Sequence, residues 1–184
     1  AHLTPEAVPY IMFSLFKIPL PLTVMQILAI DLGTETIPAL ALGAEPPEAS
    51  VMRHPSTTSQ ITDQEKPGKK GIIDGFLLFR GYIFLGLISA AGVLFAYFYV
   101  LFRGGWQWDM ALPANSILAH QASTATFLGI VILQIGNVFA CRSSRESIFK
   151  LGFFSNKLII IGIAAEVLLS VFIIYHPLGN SIFG

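Results

Sequence analysis

The sequence predicts an all-α membrane protein, a polytopic bundle of about five transmembrane helices of which the first is truncated. Of the 184 residues, 54% are hydrophobic and only 12% are charged, whereas a soluble domain carries roughly 25% charged residues. Several apolar runs reach the length of about 20 residues that a helix needs to cross the hydrocarbon core. No segment alternates in the ten-residue rhythm of an outer-membrane barrel, so helices are favoured.

One long polar stretch, residues 44–75, is rich in Pro, Ser, Thr and charge, and shorter turns and loops separate the other apolar runs. We predict spans at residues 5–18, 19–43, 76–102, 118–141 and 156–175. The first is short, and neither a Met nor a basic region precedes it, so we interpret it as part of a helix whose beginning is missing and not as a signal peptide. The loops at 44–75 and 142–155 leave no room for a soluble catalytic domain, so residues 1–184 form one transmembrane domain.

Basic residues predict the orientation. They concentrate in the two longer loops and at the adjoining span ends, as Arg53, Lys66, Lys69, Lys70, Arg80, Arg142, Arg145, Lys150 and Lys157. By the positive-inside rule both loops are cytoplasmic, which places the N-terminus inside and the C-terminus outside a plasma or cytoplasmic membrane. Zero net charge argues against nucleic acid as a partner, and a single cysteine, Cys141, excludes an internal disulfide framework.

Two carboxylates, Asp31 and Glu35, lie one helical turn apart inside the second predicted span. A charged acid at the centre of a membrane helix costs about 2.5 to 3.5 kcal/mol, so such residues usually serve a function. Pro38 has no N–H and leaves the carbonyl of Thr34 without its usual partner, and Gly33 eases local unwinding. Broken helices of this kind line ion sites. A structural role in helix packing is the alternative.

Counting residues at 1.5 Å each places further polar side chains at the same depth. Glu6 and Asp31 lie roughly 16 and 15 Å from the outer turn between the first two spans. Glu166 and Gln134 lie roughly 13 and 12 Å from the cytoplasmic ends of their spans, near the middle of a core about 30 Å thick. Asn137 follows Gln134 on the same helix face. Their oxygens suit hard cations, although amides also join helices and Glu166 could be a protonated acid.

Residues 5–52, PEAVPYIMFSLFKIPLPLTVMQILAIDLGTETIPALALGAEPPEASVM, resemble the fifth and sixth transmembrane helices of type II P-type cation-transporting ATPases. A PE motif, a PLPL turn and an acid-LGT-acid motif recur in this order in the sodium/potassium and proton/potassium pump branch. Residues 137–166, NVFACRSSRESIFKLGFFSNKLIIIGIAAE, resemble the end of the eighth helix, a short loop and the ninth helix. The resemblance implies a chain that covers helices five to nine.

The resemblance implies that the chain is the membrane ion-binding portion of an ATP-driven pump that works by alternating access. The implied cation ligands are Glu6, Thr34, Asp31, Glu35, Gln134, Asn137 and Glu166. Na⁺ or K⁺ is the favoured cargo, with H⁺ or Ca²⁺ as alternatives. ATP and Mg²⁺ would act only through domains absent here, because the DKTGT phosphorylation motif is missing from the sequence. We therefore expect no ATP hydrolysis by this chain alone.

The expected partners are the lipid bilayer and the remaining helices and cytoplasmic domains of a full pump. The outer loop at 103–118 is short, so no β subunit is expected. Leu3 occupies a position where the family usually has a coordinating asparagine, and His2 lies where the gastric pump has a lysine. The residues alone leave two other functions open: a freestanding cation or proton transporter or channel subunit, and an inactive regulatory membrane fragment.

Overall fold

The computed structural model describes residues 3–45, 75–108, 110–142, 152 and 155–183. Helices form most of these residues, and no strand occurs among them. The prediction of an all-α membrane bundle is thus confirmed. Most of the two predicted loops at 44–75 and 142–155, together with His2, lies outside the described residues.

Helices follow one another along the chain with two π-helical interruptions. They are α1 (Leu3–Phe16), α2 (Val24–Leu28), a π turn (Ala29–Thr34), α3 (Thr36–Gly43), α4 (Gly75–Leu78), a second π turn (Phe79–Leu85), α5 (Gly86–Arg103), α6 (Ile117–Cys141), α7 (Lys157–Tyr175) and α8 (Pro177–Phe183). Four helical stretches are long and apolar enough to cross a membrane: Val24–Gly43, Phe79–Arg103, Ile117–Cys141 and Lys157–Tyr175. Helix α1 has 14 residues and is only about 21 Å long, shorter than the hydrocarbon core.

The turn between α1 and α2 is held by hydrogen bonds from two tyrosines. The Tyr10 hydroxyl donates to the carbonyl of Leu22 at 2.6 Å, and the Tyr97 hydroxyl donates to the carbonyl of Pro19. Helix α2 then begins with a capping box between Thr23 and Gln26, which satisfies backbone N–H groups at the helix start. These contacts fix where the second span enters the bundle.

The core lies where the second span, α5, α6 and α7 meet. Ile30, Val93, Phe127 and Ile130 are at most 1% exposed and belong to one apolar cluster. Helix α5 packs on α6 and α1, and α7 packs on α3 and α6. Large apolar side chains on the opposite faces, such as Ile132 of α6, are exposed, as expected of helices that meet lipid or other helices.

A polar network at the ends of α3, α6 and α7 joins these three helices. Arg142, whose side chain is fully buried, pairs with Glu45 at 2.7 Å and also donates to the carbonyl of Gly152 at 3.0 Å and to the Ser155 hydroxyl at 2.6 Å. Asn156 donates to Glu45 and caps α7. Burial raises the pKa of Glu45, but hydrogen bonds from Arg142 and Asn156 outweigh burial and hold the pKa below its usual range.

Candidate functional site

The second span changes its helical register beside the acid pair. The N–H of Glu35 donates to the carbonyl of Ile30, five residues back, at 3.1 Å, and this bond defines a π turn, a feature frequent at functional sites. Pro38, which cannot donate a backbone hydrogen bond, follows within α3. The Thr36 hydroxyl lies 3.1 Å from the carbonyl of Leu32 and so satisfies a backbone group inside the turn.

The two carboxylates beside this π turn differ in their environment. Asp31 is exposed, Thr34 is fully buried and Glu35 is half-buried. Only Thr34 and Glu35 of these three face the interior cavity described next.

A cavity of about 140 Å³ lies between α3, α6 and α7. Its lining comprises Thr34, Glu35, Pro38, Ala39, Leu42, Gln134, Asn137, Val138, Cys141 and Glu166. The structure therefore brings five of the seven predicted site residues to one cavity, and it places Glu6 and Asp31 outside the lining. The common depth of Gln134 and Glu166, expected from residue counting, agrees with this arrangement.

Several polar atoms around the cavity have unused hydrogen-bonding capacity. Glu166 is 1% exposed, and neither of its carboxylate oxygens has a hydrogen-bond partner among the described residues. The Thr34 hydroxyl lies 3.0 Å from the carbonyl of Ile30 and 3.1 Å from Oε1 of Gln134, and its single hydrogen serves one of them at a time. Within the same part of the chain, Nε2 of Gln134 has no partner. Such buried polar atoms require an explanation, such as a bound ion or water.

The other two predicted acids extend this region toward α1. Glu6 is 8% exposed, and its Oε1 atom has no partner within the described ranges. Its charge is near enough to be repelled by Asp31 and Glu35, and Glu35 in turn repels Glu166. No three His, Cys, Asp or Glu side chains of the described residues form a compact metal cluster. Repulsion of this kind favours a cation or a proton beside these acids.

One wall of the cavity depends on a close approach between α3 and α7. Gly162 of α7 faces Pro38, and a Cβ atom at Gly162 would lie 3.2 Å from the backbone nitrogen of Pro38 and 3.3 Å from its Cα. This approach brings the start of α3, beside Glu35, close to the middle of α7, where Glu166 lies. Asn137 is tied on its other side to α5, where its Nδ2 donates to the Ser89 hydroxyl at 3.3 Å.

Pro38, Leu42, Val138 and Cys141 line the cavity but were not among the predicted site residues. Their positions follow the helical repeat from predicted residues: Pro38 and Leu42 are four and eight residues after Thr34, and Val138 and Cys141 are four and seven after Gln134. Because residues at these spacings share a face, extending each face toward the helix end would have found them.

Comparison with known proteins gives the same family as the sequence motifs. The family model described as "Cation transporting ATPase, C-terminus" matches residues 19–184. The chain is 30% identical to the sodium/potassium-transporting ATPase subunit alpha-4 of Rattus norvegicus over 94% of its own length. It is also 30% identical to subunit alpha-2 of Homo sapiens and 29% identical to subunit alpha of Tetronarce californica, again over 94% of its length.

The chain spans 18% of the length of each of these relatives. Together with the helical bundle, these matches confirm the predicted resemblance. The chain belongs to the C-terminal membrane regions of type II P-type cation-transporting ATPases, in the sodium/potassium pump branch.

Proposed function

We propose that this chain is the membrane portion of an ATP-driven pump and binds cations near the bilayer midplane during alternating access. The observation that carries the proposal is the buried Glu166 carboxyl group, which faces the same cavity as Glu35 and has no hydrogen-bond partner among the described residues. An ionised carboxylate in such a place needs a compensating charge. A transported cation supplies that charge.

The cavity offers oxygen ligands of the kind that Na⁺ and K⁺ accept. In this proposal Glu35 and Glu166 supply negative charge, and the Thr34 hydroxyl and the carbonyl oxygens of Gln134 and Asn137 complete the coordination. Glu6 and Asp31 hold further cations, or the same cation in another conformation of the pump. The relatives' names favour Na⁺ and K⁺ as cargo, with H⁺ and Ca²⁺ as the alternatives.

The energy for transport enters outside this chain, through ATP and Mg²⁺ bound to other parts of the pump. In this proposal the chain contributes the spans predicted above, and its two basic loops at 44–75 and 142–155 face the cytoplasm. The N-terminus then lies inside and the C-terminus outside. Lipid and the remaining helices and cytoplasmic domains of the pump surround the bundle.

Transport by the intact protein in liposomes tests this proposal. We expect ATP-dependent uptake of ²²Na⁺ or ⁸⁶Rb⁺ to fall at least about tenfold after Asp31→Asn or Glu35→Gln, since losing one charged ligand costs about 1.5 to 3 kcal/mol. Glu65→Gln, which makes the same chemical change in a predicted loop, is the control and should leave uptake unchanged. Full ATP-dependent uptake by the first two variants would refute the site assignment.

A further inference from the structure

We propose that a small cavity at the end of the bundle where the second span begins binds one ordered water molecule, which fastens helix α8 to the second span and to α6. The small cavity has a volume of about 20 Å³ and is lined by Gln26, Thr124, Phe127, Ile173, Ile174 and Asn180. It shares no lining residue with the cavity that contains Glu35 and Glu166. The water site therefore does not depend on cation binding.

The hydrogen bonds of Gln26 decide which end of its amide group is left for the small cavity. The Oε1 atom accepts from the backbone N–H of Thr23 at 3.0 Å and from the Ser123 hydroxyl at 2.6 Å. A backbone N–H can only donate, so the amide cannot be turned around without losing that bond. The NH₂ group is thus the end that remains for the small cavity. Because Gln26 is only 3% exposed, this donor needs a partner inside the protein.

The other two polar side chains of the lining present acceptors. The Thr124 hydroxyl donates its single hydrogen to the carbonyl of His120 at 2.8 Å. The Nδ2 atom of Asn180 donates to the carbonyl of Ile174 at 3.2 Å. A carbonyl oxygen can only accept, so both orientations are fixed in the same way as that of Gln26. The hydroxyl oxygen of Thr124 and Oδ1 of Asn180 therefore remain for the small cavity.

One donor and two acceptors around so small a volume define the chemical class of the ligand. A cation would meet the NH₂ hydrogens of Gln26, and an anion would meet the two acceptor oxygens. A water molecule can accept from Gln26 and donate to Thr124 and Asn180, which gives the three hydrogen bonds typical of buried water. One water needs roughly 10 to 15 Å³ of space, and the small cavity provides about 20 Å³.

This water would complete a set of contacts around the first turn of the second span. The Thr23 hydroxyl donates to the carbonyl of Phe183 at 2.9 Å and so joins this turn directly to α8. Gly179 allows α8 to fold back on α7, because a Cβ atom there would lie only 2.8 Å from the Cα of Ile173. The water site thus holds the start of the span that carries Glu35 against both α6 and α8.

A crystal structure of the intact protein, at a resolution that shows ordered water, tests the site directly. We expect a density peak about 2.7 to 3.2 Å from Nε2 of Gln26, Oγ1 of Thr124 and Oδ1 of Asn180. Crystals grown with RbCl distinguish water from a cation, because Rb⁺ has an anomalous signal. A small cavity without a peak would overturn the proposal, and so would a peak with the Rb⁺ signal.

Two valine variants of the intact protein test whether the water fastens α8. Thr124→Val removes one acceptor of the water. Thr126→Val is the matched control, because the Thr126 hydroxyl also donates to a carbonyl four residues back in α6, at 2.9 Å, but lies outside the lining of the small cavity. The backbone amides of α8 should exchange with deuterium about fivefold faster in Thr124→Val, since one hydrogen bond that holds α8 is lost. They should exchange at the parent rate in Thr126→Val.

Thr124→Ser keeps the hydroxyl group and should restore the exchange rate of the parent protein. Thr124→Ala, compared with Thr126→Ala, repeats the test if Thr124→Val does not fold. Equal exchange of α8 in the two valine variants would overturn the fastening role of the water, and so would fast exchange in Thr124→Ser. Neither the crystal structure nor the exchange rates require cation binding, so this proposal and the proposed function can fail separately.

Discussion

The close approach of Gly162 to Pro38 leads to a prediction about both stability and binding. The Gly162→Ala substitution would place a methyl group 3.2 Å from the backbone nitrogen and 3.3 Å from the Cα of Pro38. Both are backbone atoms, so no side-chain rotation can relieve the contact. Helix α3 must move away from α7, and the cavity wall moves with it.

The expected magnitude follows from two opposing effects. Overpacking destabilises the fold by about 1 to 3 kcal/mol. Replacing glycine by alanine within a helix stabilises that helix by about 1 kcal/mol. Gly162→Ala should therefore destabilise by up to about 2 kcal/mol. Gly136→Ala is the matched control, because an added Cβ there meets no atom within 4 Å, and it should be neutral or stabilising.

Inactivation half-life of the intact purified protein in detergent at a fixed temperature measures the difference, since large membrane proteins rarely unfold reversibly. We expect a shorter half-life for Gly162→Ala than for the parent, and an equal or longer one for Gly136→Ala. Cation affinity should fall only in Gly162→Ala. A Gly162→Ala protein as stable as Gly136→Ala would refute the inferred contact.

Three further predictions concern the polar network and the cavity. Arg142→Ala should destabilise the fold by about 2 to 4 kcal/mol, because it removes four hydrogen bonds of a buried guanidinium. It should shorten the inactivation half-life far more than Arg103→Ala, which changes an exposed residue. The folded protein holds the pKa of Glu45 below its usual range. Ionised Glu45 should therefore stabilise the fold at pH values above about 4.3, the pKa of a glutamate in the unfolded chain. This stabilisation should be lost as the pH falls through the pKa of Glu45 in the folded protein. The inactivation half-life, measured at a series of pH values, should show this loss in the parent and not in Glu45→Gln. Thr34→Ala should weaken ⁸⁶Rb⁺ or ²²Na⁺ binding about three- to tenfold, because it removes the hydroxyl group. Thr34→Ser keeps that hydroxyl, so equal affinities of the two variants would contradict a ligand role for Thr34.

The helical bundle was predictable because apolar runs and polar segments alternate clearly along the chain. The meeting of Gln134 and Glu166 at one cavity was also predictable, since each lies at a similar distance from a basic span end. The depth of a residue along a helix follows from counting residues, and it does not change when the helix rotates slightly about its axis.

Helix rotation itself was not predictable. Asp31 and Glu35 lie one helical turn apart in the sequence, yet only Glu35 lines the cavity, because tertiary packing decides which side of a helix faces the interior. The pairing of Arg142 with Glu45 could not be predicted from the sequence either. These residues lie 97 positions apart, and each was predicted only as part of a loop, whose path depends on how the helices pack.

Equilibrium binding of ²²Na⁺ and ⁸⁶Rb⁺ to the intact purified protein is the most direct test of the cation site. The double variant Glu35→Gln and Glu166→Gln keeps the side-chain shapes while removing both negative charges of the cavity. We expect affinity for at least one of the two cations to fall more than about tenfold in this variant and to be unchanged in Glu65→Gln. Unchanged affinity for both cations in the double variant would show that these carboxyl groups do not bind the cation.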